Sequence, residues 1–492
     1  MGASDDRALR ALVNGVLWPG FLGRSLPEWL RDELDAGLPG AVLFAHNLGD
    51  EHERMSLAAD LRGHRPPLVV GIDEEGGNVT RVEAASGSTL PGAAQLGAVD
   101  DLAATEAVGH ELARASLSVG ANVVLGPVAD VNTDPRNPVI GVRSFGGRPE
   151  LVARHTVAAL RGIRSAGAAA CVKHFPGHGD THLDSHHAMP ELTIGLDELE
   201  RVHLPPFQAA IDAGVDAVMT AHIIVPEWGE KPATLNPVAL GRLRAMGFDG
   251  VVITDALDMA AVRESVGAGP GAVQALLAGA DLLCISNPTN LGEAAATDQD
   301  VREFREVQQA VFAAVDDGSL PVAVLERAVA RVQRLAASLA GREPGEGLPL
   351  DRAAVARAAI TVDGMVPAAP GPRTVLDIRG RSTLAVASDR DYVETTIADG
   401  GDVLRGDAAV PGSGSLVVLV DAIGADGAQR RRVEHVARMR PDAVVVNVGV
   451  PAEPGEALPL PTLHARAASR LTATAVRELL ESGCSTRPGR EA

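Results

Sequence analysis

The chain is expected to be an α/β protein: a (β/α)8 TIM-like barrel followed by a smaller α/β sandwich domain. Three observations carry this expectation. Eight short apolar runs recur along roughly the first 300 residues, helical pattern lies between most of them, and a second set of β and α patterns follows a stretch rich in Gly, Pro and Ala.

The apolar runs are Leu12–Trp18, Gly40–Ala45, Pro67–Ile72, Ala121–Leu125, Ala168–Val172, Asp216–Thr220, Gly250–Thr254 and Ala280–Ile285. Each is nearly continuous in apolar residues, as parallel strands covered on both faces must be. Leu102–Ser118 and Leu196–Ala213 carry helical pattern between runs, and Val322–Leu339 follows the last one. Eight alternating units suit a barrel better than an open sheet. The barrel is assigned to 1–345, a linker to 346–372 overlapping the Gly341–Gly371 stretch, and the sandwich to 373–492. Strand candidates in the sandwich are Thr383–Ala387, Ser415–Val420 and Asp442–Val448, with helices near Gln429–Arg438 and Ala465–Glu481.

Composition narrows the function. With 492 residues, 46% hydrophobic and 22% charged, the chain is globular and long enough for two domains. A net charge of −20 disfavours nucleic acid as a partner, because phosphate binding needs a basic stripe. No apolar run is long enough for a membrane span. The N-terminus Met1-Gly2-Ala3-Ser4-Asp5-Asp6-Arg7 has no secretion pattern, which with only Cys171, Cys284 and Cys484 fits the cytoplasm. One tyrosine and three tryptophans leave little for the aromatic platforms of a polysaccharide groove, so a small substrate is expected. Oligomeric state is not legible.

Barrel enzymes work at the C-terminal ends of their strands. Here the unusual polar residues fall there. The third run leads into Asp73-Glu74-Glu75-Gly76-Gly77-Asn78-Val79-Thr80-Arg81, and the loop after the fourth holds Arg143. The fifth leads into Lys173-His174-Phe175-Pro176-Gly177-His178-Gly179-Asp180-Thr181-His182-Leu183-Asp184-Ser185-His186-His187, the sixth reaches His222, and the seventh ends in Thr254-Asp255-Ala256-Leu257-Asp258-Met259. The segment after the fifth run holds five of the fourteen histidines. His174, His178, His182 and His186 are four apart and would stack as metal ligands on a helix, but Pro176, Gly177 and Gly179 oppose a helix. No metal and no cofactor are therefore expected. Acid/base work suits the loop better: Asp184 and His186, two apart, project to one side of an extended segment, where the carboxylate can fix the imidazole tautomer. Asp255 closes a buried strand and needs cations or donors, for which Lys173, Arg143 and Arg81 are candidates; alone, it would read as a helix cap.

Lys173-His174-Phe175-Pro176-Gly177-His178-Gly179-Asp180-Thr181 with Asp184-Ser185-His186 resembles family 3 of the glycoside hydrolases, in its β-N-acetylglucosaminidase branch. Asp73-Glu74-Glu75-Gly76-Gly77 is similar to that branch's Asp-Gln-Glu-Gly-Gly stretch, and Gly250–Leu257 to its nucleophile strand. The resemblance covers roughly residues 10–340. It implies Asp255 as nucleophile, His186 as acid/base and Asp184 as its partner, with Asp73, Arg81, Arg143, Lys173 and His174 holding the sugar. His222 and Met259 are further expected pocket liners. The implied activity is a retaining exo-β-N-acetylglucosaminidase on small glycosides such as cell-wall fragments or chitobiose, working through a glycosyl-aspartate. Import and recycling of such fragments fits the expected location. A phosphorylase, a β-glucosidase and a non-enzymatic sugar-binding protein are the alternatives. Glu74 stands for the branch's glutamine, Asn78 for its arginine, and His182 and His187 at variable positions.

Overall fold

The computed structural model describes residues 3–64, 66–181, 190–290, 292–380, 392–424, 427–451 and 457–485. The first group of strands is β1 (Leu17–Trp18), β2 (Gly40–Leu43), β3 (Val69–Ile72), β4 (Val123–Val124), β5 (Ala169–Phe175), β6 (Ala217–Thr220), β7 (Val251–Ile253) and β8 (Leu283–Cys284). Strands β2 to β7 make one parallel sheet in sequential order, and β1 pairs in parallel with β8. Hydrogen bonds join that pair to both sheet edges, with Leu282 N donating to Val252 O at 3.1 Å and Thr254 N to Leu282 O at 3.0 Å on the β7 side. Val42 N donates to Pro19 O at 2.9 Å, and Ile253 bridges Leu282. The result is a mixed α/β fold whose parallel strands curl into a half-barrel of TIM-like type.

Alternation along each strand explains the curl. Val42, Val69, Val123, Ala169, Cys171, Ala217, Met219, Val251 and Ile253 form one buried cluster around Trp18. Their neighbours Ala41, Leu43, Val70, Val124, Ala170, Val218 and Val252 belong to another cluster, with the helices. Trp18 fills the interior, donating from Nε1 to Val69 O at 2.8 Å. Gly71 makes room for it: a Cβ there would lie 2.2 Å from the indole. The connecting helices are capped by their own sequence. Asp50 and Glu53 form a capping box, Asp101 accepts from Ala103 and Ala104 N, and Pro149 opens Pro149–Ser165.

The remaining strands are β9 (Thr361–Asp363), β10 (Met365–Val366), β11 (Thr374–Asp377), β12 (Val403–Arg405), β13 (Leu416–Val420), β14 (Val444–Asn447), β15 (Thr462–His464) and β16 (Cys484–Ser485). A second six-stranded sheet runs β12-β11-β13-β14-β15-β9, with only β9 antiparallel. Buried Val375, Val417, Leu419, Val446 and Leu463 pack on one of its faces, Leu376, Val418, Val420 and Val445 on the other.

Several expected boundaries are corrected. Most of Leu12–Trp18 is not strand: helix Ala3–Asn14 runs into it, leaving only Leu17–Trp18 extended. The expected linker contains helix Arg352–Ala359 and strand β9, because Asp351 caps the helix and β9 closes the sheet edge on β15. The helix expected from Ala465 starts at Arg470, where Ser469 supplies the cap. Leu196–Ala213 is broken into three short helical pieces, the last opening at Pro205. The Thr383–Ala387 candidate lies outside the described residues. Among the described residues no helix is long and apolar enough to cross a membrane.

Candidate active site

The C-terminal ends of the parallel strands surround an open pocket. Asp73, Arg81, Arg143, Lys173, His174, Asp255 and Met259, all singled out from the sequence, line it. Asp184 and His186 lie outside the described residues.

Strand β5 delivers two of these groups. It is buried over all seven residues, and its pairing with β6 shifts register between Val172 and Phe175. Adjacent side chains on a regular strand face opposite ways, whereas an irregularity re-aims them. Lys173 and His174 accordingly both reach the pocket.

Lys173 is 2% exposed and holds two carboxylates, with Nζ 2.7 Å from Asp73 Oδ1 and 2.7 Å from Glu75 Oε1. Arg143 grips Glu75 with two parallel bonds of 2.9 and 2.8 Å. Arg81 Nη2 stands 3.4 Å from Asp73 Oδ2. Burial alone would raise the Asp73 and Glu75 carboxyls. The cations outweigh it: Lys173, Arg81 and Arg143 hold Asp73 far below the carboxylate range, and Arg143 and Lys173 hold Glu75 at about 2. Burial likewise opposes the charge on Lys173, but Asp73 and Glu75 raise its ammonium. Both acids and the amine are therefore ionised at neutral pH, giving a rigid set of donors and acceptors for hydroxyl groups.

His174 faces a second, deeper acid. Asp130 is 0% exposed and accepts from His174 Nδ1 at 2.7 Å, His174 N at 3.2 Å and His178 N at 2.7 Å. Burial raises the Asp130 carboxyl, yet His174 and His178 leave it lowered overall. Asp130 thus orients the His174 ring and anchors the start of the histidine segment. His178 also lines the pocket; burial lowers its ring to about 4, so it is neutral at pH 7. Asn137 holds the same segment through His178 O at 2.7 Å and Thr181 Oγ1 at 3.3 Å.

Asp255 sits just past β7, with Oδ1 accepting from Ala256 N at 2.8 Å. Its loop is tied to β8 through Leu257 N to Cys284 O and Asp258 N to Ile285 O. One expectation is corrected here. His222 is fully buried and does not line the pocket. Its Nε2 lies 2.9 Å from Ala256 O, and Nδ1 2.9 Å from Thr234 Oγ1. A carbonyl can only accept, so His222 donates to the loop carrying Asp255 and acts on the pocket from behind.

Sequence reasoning passed over Glu75, Asp130, His178, Asn287 and Asn290. Glu75 was within reach, being two residues from Asp73 in the same strand-end segment. Asn287 and Asn290 follow β8, and searching the eighth strand end would have found them. Nothing in the sequence marks Asp130, whose role arises from packing against β5.

Glu74 points away from the pocket. It is 2% exposed and accepts from Arg81 N at 2.8 Å and Val82 N at 3.0 Å, fastening the turn that carries Arg81. Burial raises it from 4.5 to about 7 despite these bonds and that to Thr80. The folded state then binds the extra proton between pH 4.5 and 7, so Glu74 contributes less stability as pH rises through that window. Glu74→Gln keeps an accepting oxygen without the charge. It is expected to leave the melting temperature unchanged at pH 5 and raise it by a few degrees at pH 8, the gain bounded by about 3 kcal/mol. Thermal denaturation at the two pH values checks this.

A parallel half-barrel of TIM-like type with charged, hydrogen-bonding groups and a strand-end aspartate in one pocket has the layout of an enzyme that works at the C-terminal ends of its strands. The model of the "Glycosyl hydrolase family 3 N terminal domain" matches residues 25–335, and the chain belongs to that family. It is 33% identical over 369 residues to beta-hexosaminidase A of Pseudoalteromonas piscicida, covering 67% of this chain and 60% of that protein. It is 37% identical over 280 residues to a beta-hexosaminidase of Stenotrophomonas maltophilia (strain K279a), covering 54% of this chain and 81% of the relative. Among solved structures it is similar to a family 3 β-N-acetylglucosaminidase from Paenibacillus sp. FPU-7, with a TM-score of 0.81, 30% identity and 96% of each chain covered.

Proposed function

We propose that the chain is a retaining exo-β-N-acetylglucosaminidase that removes terminal β-linked N-acetylglucosamine from small glycosides. The reading takes β1 to β8 as one closed (β/α)8 barrel and the second sheet as a separate domain. The observation that carries it is the pocket itself, where Asp255 shares one lining with the Asp73–Lys173–Glu75–Arg143 array and His174. Relatives described as beta-hexosaminidases and a β-N-acetylglucosaminidase support the substrate class.

In this mechanism Asp255 attacks the anomeric carbon while protonated His186, held by Asp184, gives its proton to the leaving oxygen. A glycosyl-aspartate results, and His186 then takes a proton from the incoming water. Lys173 and Arg143 orient the ring through charged hydrogen bonds.

Purified protein is expected to release the aryl group from an aryl N-acetyl-β-glucosaminide, faster than from the matching glucoside. Rates in phosphate and in a non-nucleophilic buffer separate hydrolysis from phosphorolysis, since the latter yields sugar 1-phosphate. No turnover of either glycoside sinks the reading. His186→Ala is expected to slow substrates with poor leaving groups by about 10²–10⁴-fold and activated aryl glycosides much less. Equal losses on both would remove His186 from the acid/base role.

A further inference from the structure

The loop between β3 and helix Ala93–Val99 carries Asp73, Glu75 and Arg81, yet its only internal ladder contact is the bridge between Gly76 and Val79. Glu74 and Glu83 fasten turns within it, and further anchors come from the far end of the chain. Ala468 N donates to Asn78 Oδ1 at 2.6 Å, and Leu471 N donates to Ser88 O at 3.2 Å. Gln95, fully buried just beyond the loop, donates from Nε2 to Ala465 O at 3.3 Å and Thr472 Oγ1 at 3.0 Å. Gly77, in the left-handed region at φ 54°, lies against Ala467, and Tyr392 covers Gly87. All four partners in the first two groups belong to the segment that leaves the C-terminal end of β15. A neighbouring loop meets the second sheet too: Val450, after β14, packs on Gly141, two residues from Arg143.

We infer that the second sheet is a working part of the sugar site. The Ala465–Thr472 segment braces the 73–92 loop, and Asn78 is the positioning residue through which it reaches Glu75. The path is short. Ala468 N holds Asn78, Asn78 lies inside the Gly76–Val79 turn, and Val79 O accepts from Glu75 N at 3.0 Å. Glu75 in turn receives both Arg143 and Lys173. A loop of small residues and glycines has many conformations to lose, so an acceptor fixed at one point of its turn narrows where the Glu75 carboxylate can stand. The bond acts on ground-state sugar binding and leaves Asp255 untouched, so the expected signature is in KM. The inference rests on the glycosidase reading for that kinetic signature alone.

The test compares Asn78→Ala and Asn78→Asp in the full chain, with aryl N-acetyl-β-glucosaminide as substrate and hydrogen exchange of the sugar-free protein. Asn78→Ala removes the acceptor and is expected to raise KM about fivefold or more, with kcat within about twofold. Backbone exchange across 74–82 should quicken about as much. Asn78→Asp keeps an acceptor for Ala468 N and is expected to restore both. Unchanged KM and unchanged exchange in Asn78→Ala overturn the inference. So does a joint fall in kcat and melting temperature that Asp fails to rescue, which is general destabilisation. If the wild-type protein turns over no glycoside, the glycosidase reading fails, while the exchange comparison still decides whether the second sheet braces this loop.

Discussion

Asp255→Ala is expected to lower turnover of an aryl N-acetyl-β-glucosaminide by about 10⁴-fold or more, with little change in melting temperature. The first half follows from the proposed chemistry: without a carboxylate on the sugar's anomeric face no glycosyl-enzyme forms, and the nearby Asp258 does not line the pocket and is bound by Asn290 Nδ2 at 2.7 Å. The second half follows from the structure. The loop keeps its shape through Leu257 and Asp258 bonds to β8 and the His222 bond to Ala256 O, none of which involves the Asp255 side chain. Asp255→Asn, which retains an acceptor for Ala256 N, should fold alike and be nearly as inactive. Steady-state kinetics beside thermal denaturation provides the check, and undiminished turnover removes Asp255 from the mechanism.

Lys173→Met should strike stability and function together. Lys173 stands between Asp73 and Glu75 in a buried site, and removing one member of such a cluster leaves charges without compensation, typically costing about 3–5 kcal/mol. The sign of its pH dependence is fixed. In the wild type the folded-state carboxyls of Asp73 and Glu75 lie below their ordinary values, so their stabilisation is present above about pH 4.5 and fades as pH falls toward 2. Without Lys173 both carboxyls rise and take up protons sooner. The gap in melting temperature between variant and wild type is therefore largest near pH 7 and narrows below pH 4. Adding Glu75→Gln to the variant should recover part of the loss at pH 7, because one unpaired charge is gone. A gap that widens in acid contradicts the ion-pair account.

How much was legible follows from the kind of signal. Periodicity located seven of the eight strands of the first group to within three residues at each end, because a strand buried on both faces must be apolar throughout. It failed at Leu12–Trp18, where a packed helix is equally apolar, and in the second sheet at β9, β11, β12 and β15, which lie outside every expected run. The histidine segment announced itself by composition, since Pro and Gly forbade a helix among ligand-like residues. His222 was read as a pocket liner from strand position alone, but whether a ring at a strand end turns inward or behind the wall depends on what fills the space. Here Thr234 and Ala256 O hold it behind.

From the residues alone came the mixed α/β class of fold, the strand ends at which the pocket lies, and the charged groups Asp73, Arg81, Arg143, Lys173 and Asp255 that line it. All of these follow from local pattern and from the rule that loops after parallel strands converge. Only the folded chain decided which charges pair, that Asp130 stands behind His174, that Glu75 sits between Lys173 and Arg143, and that a segment near residue 468 grips the loop near residue 78. Those contacts join positions 44 to 390 residues apart. At such separations sequence spacing carries no information, and side-chain packing alone sets who meets whom.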